Sequence, residues 1–250
     1  MQKKNLWHES NEFWQAVEPF LFTKQRWDNA PVEIDNLISI LNIQPGAKVL
    51  DLCCGVGRHS IGLAKKGFSV TGVDRTKRYL IQAKQKAKQE KVNIAFIQAD
   101  MREYCRPNTF DAVINMFTAF GYFENPHDDK RVVKKVYQSL KPGGRFILEL
   151  MGKEILARIF SERGWEEGEN GLVILEERKL SQNWGWIDNR WILIKGNKRK
   201  EFKVSHRLYS AVELSDLLKD CGFKQIEVYG DLAGAPYDQN AKRLVIIGKK

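Results

Sequence analysis

Between Lys48 and Leu150 this chain of 250 residues alternates strand-like and helix-like segments, and this rhythm restricts its fold more than any other feature. Amphipathic segments with helical spacing separate the apolar runs. Strands that alternate with helices form a parallel sheet that is covered on both faces. We therefore predict an α/β fold, with strands at Lys48–Leu52, Ser69–Asp74, Ile94–Gln98, Phe110–Asn115 and Arg145–Leu150.

The segments on either side of this core have a different character. Residues 1–45 predict a helical cap that is rich in aromatic side chains, namely Trp7, Phe13, Trp14, Phe20, Phe22 and Trp27. After residue 150, three β-rich segments in a row predict an antiparallel insertion, with turns at Asn183 and Gly196-Asn197. These segments are Leu172–Leu180, Trp184–Ile194 and Lys200–Leu208.

The α/β pattern resumes near the end of the chain, with a helix at Ala211–Cys221 and strands at Lys224–Tyr229 and Arg243–Gly248. We therefore expect residues 46–150 and 208–250 to form one core domain. Residues 151–207 are expected to be an antiparallel β insertion that acts as a substrate lid.

The composition bounds the class of protein. The cysteines Cys53, Cys54, Cys105 and Cys221 form no CxxC pair, so we expect reduced thiols and no metal site. The N-terminal residues contain no apolar signal core, and no apolar stretch reaches 18 residues, so we expect a cytoplasmic protein without a membrane segment, as monomer or homodimer. The formal charge of +10 leaves a nucleic-acid partner open.

A glycine-rich turn follows the first predicted strand, in Val49-Leu50-Asp51-Leu52-Cys53-Cys54-Gly55-Val56-Gly57. Glycines let the backbone approach a ligand closely, and the helix that follows offers free N–H groups. The dinucleotide fingerprint has a third glycine where this chain has Ser60. The carboxylate of Asp51 would repel a pyrophosphate, but it suits a ligand with an ammonium and a sulfonium group, such as S-adenosylmethionine.

Polar residues end the next three strands. Asp74 can accept both hydroxyls of a ribose. Asp100 can accept from an adenine amino group, while Met101 offers its backbone N–H to the ring. Asn115 is expected to face the cleft at the carboxyl edge of the sheet, where open α/β sheets bind ligands. Together these residues form an ordered series that favours S-adenosylmethionine over other nucleotide cofactors.

The chain resembles the class I S-adenosylmethionine-dependent methyltransferase family. The resemblance rests on the segment Val49–Arg58, on Gly72-Val73-Asp74 and on the turn Leu140-Lys141-Pro142-Gly143-Gly144. It extends to a small-molecule subgroup with an antiparallel insertion after the fifth strand, such as sugar N-methyltransferases and glycine N-methyltransferase. It implies a Rossmann-like, seven-stranded, mostly parallel sheet whose last strand is antiparallel.

The resemblance also implies a set of cofactor-binding residues. The residues that it implies are Asp51, Gly55, Gly57, Asp74, Asp100, Met101 and Asn115. We add Cys53 and Arg75 to the expected cofactor set, together with Arg26 as a candidate partner of the cofactor carboxylate. The chain departs from the family at Asn115-Met116-Phe117-Thr118. Methyltransferases that act on base amines often have Asn/Asp-Pro-Pro-aromatic there, so the departure disfavours a nucleic-acid base as acceptor.

The acceptor and the catalytic base are not identified by the sequence. Methyl transfer from a sulfonium requires orientation and a dry cleft, and a base is needed only where the acceptor atom carries a proton. His206, Tyr209 and Tyr122 are candidates, and the acceptor cavity is expected between the N-terminal helices, residues 118–123 and the insertion. The leading hypothesis is a methyltransferase that acts on a nitrogen or oxygen of a small molecule. An RNA methyltransferase, a non-catalytic cofactor-binding protein and a dinucleotide oxidoreductase stay as alternatives.

Overall fold

The computed structural model of the chain describes residues 6–168 and 171–250, so residues 1–5 of the predicted cap lie outside it. A short 3₁₀ helix, Trp7–Glu9, opens the described part. The α-helices are α1 (Asn11–Leu21), α2 (Lys24–Leu41), α3 (Arg58–Lys65), α4 (Lys77–Gln89), α5 (Pro126–Ser139), α6 (Lys153–Ile159) and α7 (Ala211–Asp220). The strands are β1 (Lys48–Leu52), β2 (Ser69–Asp74), β3 (Ala95–Gln98), β4 (Phe110–Asn115), β5 (Leu140–Leu150), β6 (Arg163–Glu167), β7 (Leu172–Ser181), β8 (Trp186–Lys195), β9 (Lys198–Arg207), β10 (Lys224–Tyr229) and β11 (Leu244–Lys249).

Seven strands form the central sheet in the order β10-β11-β5-β4-β1-β2-β3. The strands β1 to β5 pair in parallel, and β11 pairs antiparallel with both β5 and β10. The predicted Rossmann-like α/β sheet with an antiparallel last strand is therefore confirmed. The central strands are apolar and buried on both faces, as helices on each side of a parallel sheet require.

Local sequence explains where several helices begin. The Ser10 and Thr23 side chains accept backbone N–H groups at the starts of α1 and α2. Ser210 and Glu213 form a reciprocal capping box at the start of α7. These caps fix the entry of the two helices that cover the candidate site and of the helix that follows the insertion.

The turn predicted at Lys141–Gly144 lies within β5. Leu140 pairs with Phe110, and the next paired residue of β5, Arg145, lies opposite Ala112. The residues between them bulge out of the ladder, with Gly143 at φ +79°. Pairing resumes at Arg145 with a shifted register, and this residue is the predicted start of the strand.

A second sheet of four antiparallel strands, in the order β6-β7-β8-β9, forms the insertion. Three of these strands were predicted, and β6 was not. One face of the sheet packs against α1, where Phe13 and Val17 form a cluster with buried residues of the sheet, namely Leu172, Ile174, Leu193 and Val204. The insertion therefore supports α1 from outside.

Two observations concern the expected cellular setting. All four cysteines are free. Among residues 6–168 and 171–250, no helix has both the length and the apolar character that a membrane span requires.

Candidate active site

A cavity of about 180 Å³ lies at the carboxyl edge of the central sheet. The ends of β1, β2 and β4 and the loop after β3 form its floor, and α1 and α2 cover it. Eight residues of the expected cofactor set line this cavity, namely Arg26, Asp51, Cys53, Gly55, Asp74, Arg75, Asp100 and Met101. The structure thus brings together residues that lie up to 75 positions apart in the sequence.

The turn after β1 places its backbone against the cavity. Cys53 and Gly55 both adopt left-handed backbone conformations, at φ +64° and φ +55°. A Cβ atom on Gly55 would lie 2.9 Å from Cζ of Phe22, so a side chain at this position would collide with the aromatic cover. Glycine is therefore required at position 55 for its backbone angle and for the close approach of Phe22.

The carboxylate of Asp74 is fixed by two backbone groups. Its Oδ2 accepts the N–H of Gly55 at 2.9 Å, and its Oδ1 accepts the N–H of Thr76 at 2.7 Å. Burial raises the pKa of this carboxyl, and the two backbone hydrogen bonds oppose that rise. Each oxygen keeps a second lone pair, which can accept a ligand hydroxyl.

Asp100 is held by Arg102. The guanidinium donates from Nε to Oδ1 at 3.0 Å and from Nη2 to Oδ2 at 2.7 Å, and the backbone N–H of Arg102 donates to Oδ1 at 2.8 Å. Burial disfavours the charged carboxylate, but these hydrogen bonds outweigh it and lower the pKa of Asp100. Asp100 is therefore a fixed anion in the cavity wall.

Asp51 lies at the end of β1 and is buried. Its Oδ2 accepts the hydroxyl of Ser60 at 2.5 Å. Burial raises the pKa of Asp51, while the nearby His59 and the Ser60 hydrogen bond lower it. Ser60, the residue in place of a third glycine, thus has a defined task in holding this carboxylate.

The opposite side of the cavity is cationic. Arg26, Arg58 and His59 line it, and the carboxylate of Glu33 accepts from Arg58 at 2.6 Å and contacts the ring of His59 at 2.9 Å. The Phe117 ring lies beside all three, with the guanidinium carbons of Arg58 and Arg26 at 4.4 Å and 5.4 Å from its centroid. Two guanidinium groups thus line this side and can pair with a ligand carboxylate, although Glu33, Glu149 and Glu166 also act on Arg26.

Aromatic rings close the remaining wall. Tyr122 packs against Trp7 at 4.8 Å and against Trp14 at 6.3 Å between ring centroids. The ring of His8 packs edge-on against Phe123 at 5.3 Å. Burial lowers the pKa of His8 and raises that of Tyr122, so both groups are neutral near pH 7. None of the described residues forms a hydrogen bond with the ring nitrogens of His8 or the hydroxyl of Tyr122.

Trp14 and Phe22 line the cavity, as expected of the aromatic N-terminal segment, and the density of aromatic residues before position 30 was the signal for that wall. Sequence reasoning missed other lining residues, namely His8, Arg58, Thr76 and Tyr79. The position of Arg58 directly after Gly57 was a signal for that residue, because the first turn of that helix meets the edge of the sheet.

Four predicted site residues do not line the cavity. A Cβ on Gly57 would meet Ala83 and Phe96 at 3.0 Å, so this glycine serves the packing of helix on strand. Asn115 is buried, and its Nδ2 donates to the Leu52 carbonyl at 3.2 Å. Its Oδ1 has no hydrogen-bond partner within the described part of the chain.

His206 and Tyr209 are the other two residues outside the cavity wall. Burial lowers the pKa of His206 to about 4. The hydroxyl of Tyr209 donates to the buried Asp129 at 2.8 Å. Of the three candidate bases, only Tyr122 lines the cavity.

The expectation that the insertion lines the cavity is wrong for the residues that the structure describes. None of its described residues belongs to the lining, because α1 lies between the second sheet and the cavity. Trp14 and Leu21 of α1 line the cavity, while Phe13 and Val17 face the sheet.

The residues present fit S-adenosylmethionine. The acids Asp51, Asp74 and Asp100 suit a ligand with a sulfonium, an ammonium and ribose hydroxyls, and the cationic side around Arg26 suits its carboxylate. The unpaired Oδ1 of Asn115 beside the end of β1 is a further acceptor without a protein donor.

Comparisons with known proteins agree with this geometry. A family model described as a methyltransferase domain matches residues 49–144. YqeM of Bacillus subtilis (strain 168), a protein named as a methyltransferase, is 30% identical over 208 residues, which cover 81% of this chain and 84% of YqeM.

Solved structures share the fold. The CcbJ methyltransferase from Streptomyces caelestis matches with a TM-score of 0.79 at 16% identity, over 98% of each chain. CalS10 from Micromonospora echinaspora, an amino pentose methyltransferase solved with S-adenosylmethionine, matches with a TM-score of 0.64 at 20% identity, over 95% of this chain and 96% of CalS10. This protein is accordingly a methyltransferase with S-adenosylmethionine as its cofactor. By the match to YqeM over most of both chains, it belongs to the class I S-adenosylmethionine-dependent methyltransferase family.

Proposed function

We propose that the enzyme methylates a nitrogen or oxygen atom of a small molecule in the cavity described above. The observation that carries this proposal is the cover of the cavity by α1 and α2, which lies over both the expected cofactor residues and the aromatic wall. A covered cavity suits a small acceptor better than a base within a folded nucleic acid. The likeness to CalS10, an amino pentose methyltransferase, supports the same class.

Five of the lining residues have defined tasks toward the cofactor in this proposal. Asp74 would accept the ribose hydroxyls, and Asp100 would accept from the adenine amino group while Met101 offers its backbone N–H. Arg26 would pair with the carboxylate of the cofactor, and Asp51 would favour its positive charges. When bound, S-adenosylmethionine supplies a methyl group on a positively charged sulfur.

The aromatic wall would orient the acceptor and keep water out, which are the main contributions that an enzyme makes to this displacement. Tyr122 keeps its proton because burial raises its pKa, so its hydroxyl can donate to the acceptor. His8 is neutral, because burial lowers its pKa, and its unprotonated ring nitrogen can accept a proton from the acceptor atom.

A labelling experiment tests this function. The enzyme is incubated with methyl-labelled S-adenosylmethionine and one acceptor source at a time. The sources are a panel of small amines and phenols, a metabolite extract freed of macromolecules, and total RNA. We expect the label to enter the small-molecule fractions and to disappear from them in the Asp74→Ala variant. Label in RNA alone would contradict the proposal, as would binding of the cofactor without transfer to any fraction.

A further inference from the structure

The loop after β4 contains an unusual backbone. Phe117 and Thr118 are consecutive, and both lie in the left-handed region, at φ +60° and φ +58°. A β-branched residue such as threonine strongly disfavours this region. Such strain persists where surrounding contacts enforce it, and it concentrates at functional sites.

Two residues of the sheet enforce this turn. The carboxylate of Glu149, in β5, accepts the N–H of Phe117 at 2.6 Å, and its backbone carbonyl accepts the N–H of Thr118 at 3.0 Å. Arg243, immediately before β11, forms an ion pair with Glu149 through Nε and donates from Nη2 to the Thr118 hydroxyl at 2.8 Å.

The ion pair is protected from water on its acidic side. The side chain of Glu149 is 5% exposed and that of Arg243 is 28% exposed. A charged acceptor in such a setting forms short, strong hydrogen bonds. Loss of either partner therefore removes support from both strained residues at once.

The turn determines where the Phe117 ring lies. The ring lines the cavity, stacks on His59 at 5.7 Å with a 30° tilt, and lies against the guanidinium groups of Arg58 and Arg26. The Phe117 side chain is nevertheless 38% exposed, so this large apolar ring lies at the edge of the cavity.

We propose that the Glu149–Arg243 ion pair is a positioning device that holds the strained Phe117–Thr118 turn and so fixes the Phe117 ring in the cationic side of the cavity. This inference rests on the proposed function, because that function assigns the cationic side to the carboxylate of the cofactor. Through it, the pairing of β5 with the antiparallel strand β11 sets the shape of the cavity edge.

The test uses NMR spectra of the full chain with labelled histidine. The chain contains four histidines, so the His59 signal is assigned with His59→Gln. The aromatic ring current of Phe117 shifts that signal, and Phe117→Leu defines its position without the ring. We expect Glu149→Gln to move the signal most of the way to the Phe117→Leu position. Arg243→Lys keeps a charge beside Glu149 but loses the contact with Thr118, so it should move the signal part of the way.

Three further variants separate positioning from general loss of stability. In the Phe117→Leu background, Glu149→Gln should no longer move the signal. Adding Thr118→Asn to Glu149→Gln should return it toward the wild-type position, because asparagine tolerates the left-handed region. Tyr209→Phe removes a buried hydrogen bond elsewhere and should leave the signal in place.

The inference is overturned if the signal stays in place in folded Glu149→Gln and Arg243→Lys, or moves equally in the Phe117→Leu background. If Glu149→Gln does not fold, Arg243→Lys alone decides, since its charge pair is retained. The proposed function fails separately, when wild-type enzyme does not bind S-adenosylhomocysteine in calorimetry, whatever the spectra show.

Discussion

The carboxylate of Asp74 accepts the backbone N–H of Gly55 at 2.9 Å, so one hydrogen bond joins the end of β2 to the glycine turn after β1. The same carboxylate accepts the N–H of Thr76 at the start of α4. A single side chain thus aligns the turn, the strand end and the helix start that form the cavity floor. Its charge serves the local backbone, and in the proposed function the same carboxylate would accept the hydroxyls of the ribose.

Replacement of Asp74 by alanine is expected to weaken the binding of S-adenosylhomocysteine by about 10- to 100-fold, the effect of losing hydrogen bonds to a charged group. Titration calorimetry measures this change. Asp111→Ala is the matched control. Asp111 also accepts a backbone N–H, that of Lys48 at 2.8 Å, but it lies at the start of β4, at the other edge of the sheet from the cavity. Equal losses in the two variants would contradict the assignment of Asp74 to the ribose.

Arg26→Met is expected to weaken the binding of S-adenosylmethionine and to leave that of 5′-methylthioadenosine unchanged. The second ligand has the same nucleoside but no amino-acid group, so it does not need a cationic partner. Calorimetry with both ligands measures the difference. If both affinities fall together, Arg26 supports α2 rather than the carboxylate of the cofactor.

Gly55→Ala is expected to abolish most cofactor binding, since its Cβ would approach Phe22 and its φ of +55° is strained for alanine. Gly143→Ala separates the two causes. Gly143 has φ +79°, but its Cβ would meet nothing within 4 Å. Both variants should unfold at lower urea concentrations, and only Gly55→Ala should lose affinity. An unchanged affinity in Gly55→Ala would show that the turn does not contact the cofactor.

The buried Asp129 predicts a pH dependence of stability. Burial raises its pKa to about 6, although Tyr209 and Arg207 favour the charged form. The folded state therefore binds this proton more tightly than the unfolded state, whose Asp pKa is about 3.9. Between these two values stability falls as pH rises, and above pH 6 the penalty is fully present, at about 3 kcal/mol.

Asp129→Asn removes this titration. Urea unfolding at pH 4.5 and at pH 7, about either side of the raised pKa, measures the effect. The variant should lose less stability than wild type when the pH is raised from the first value to the second. Asp128→Asn, in the same turn of α5, controls for the loss of a carboxylate near a helix start. The interpretation is wrong if the two variants change the pH dependence alike. Burial lowers the pKa of His206 to about 4, so its contribution to stability rises with pH, opposite to that of Asp129. Wild type and both variants contain His206, so its contribution cancels in the comparison.

Much of the fold could be predicted from the sequence, because strands β1, β2, β4 and β10 are apolar or alternating runs that end at turn residues. Strand β6 could not. Its sequence, Arg163–Glu167, has no apolar alternation, and its extended form comes from pairing with β7. Pairing of this kind is a tertiary effect that local patterns do not record.

The parts of the candidate site that could be predicted are the acids at the strand ends. There the type of residue and its place at the carboxyl edge of the sheet both indicate a ligand. Tyr209 shows the limit of that reasoning, since it returns from the insertion near the cavity but turns its hydroxyl to Asp129. The strained conformation of Phe117 is likewise set by Glu149 and Arg243, which are distant in sequence. Side-chain direction in loops depends on such partners and not on the residues alone.

The place of α1 between the insertion sheet and the cavity makes the influence of that sheet on the acceptor indirect, since none of its described residues lines the cavity. One route is α1 itself, where Phe13 packs on the sheet and Trp14 lines the cavity. A second route is the hydrogen bond from the Arg207 N–H to the carbonyl of Gly121, in the loop that carries Tyr122. Substitutions in the insertion, far from the methyl group, can therefore alter the choice of acceptor by shifting a helix or a loop.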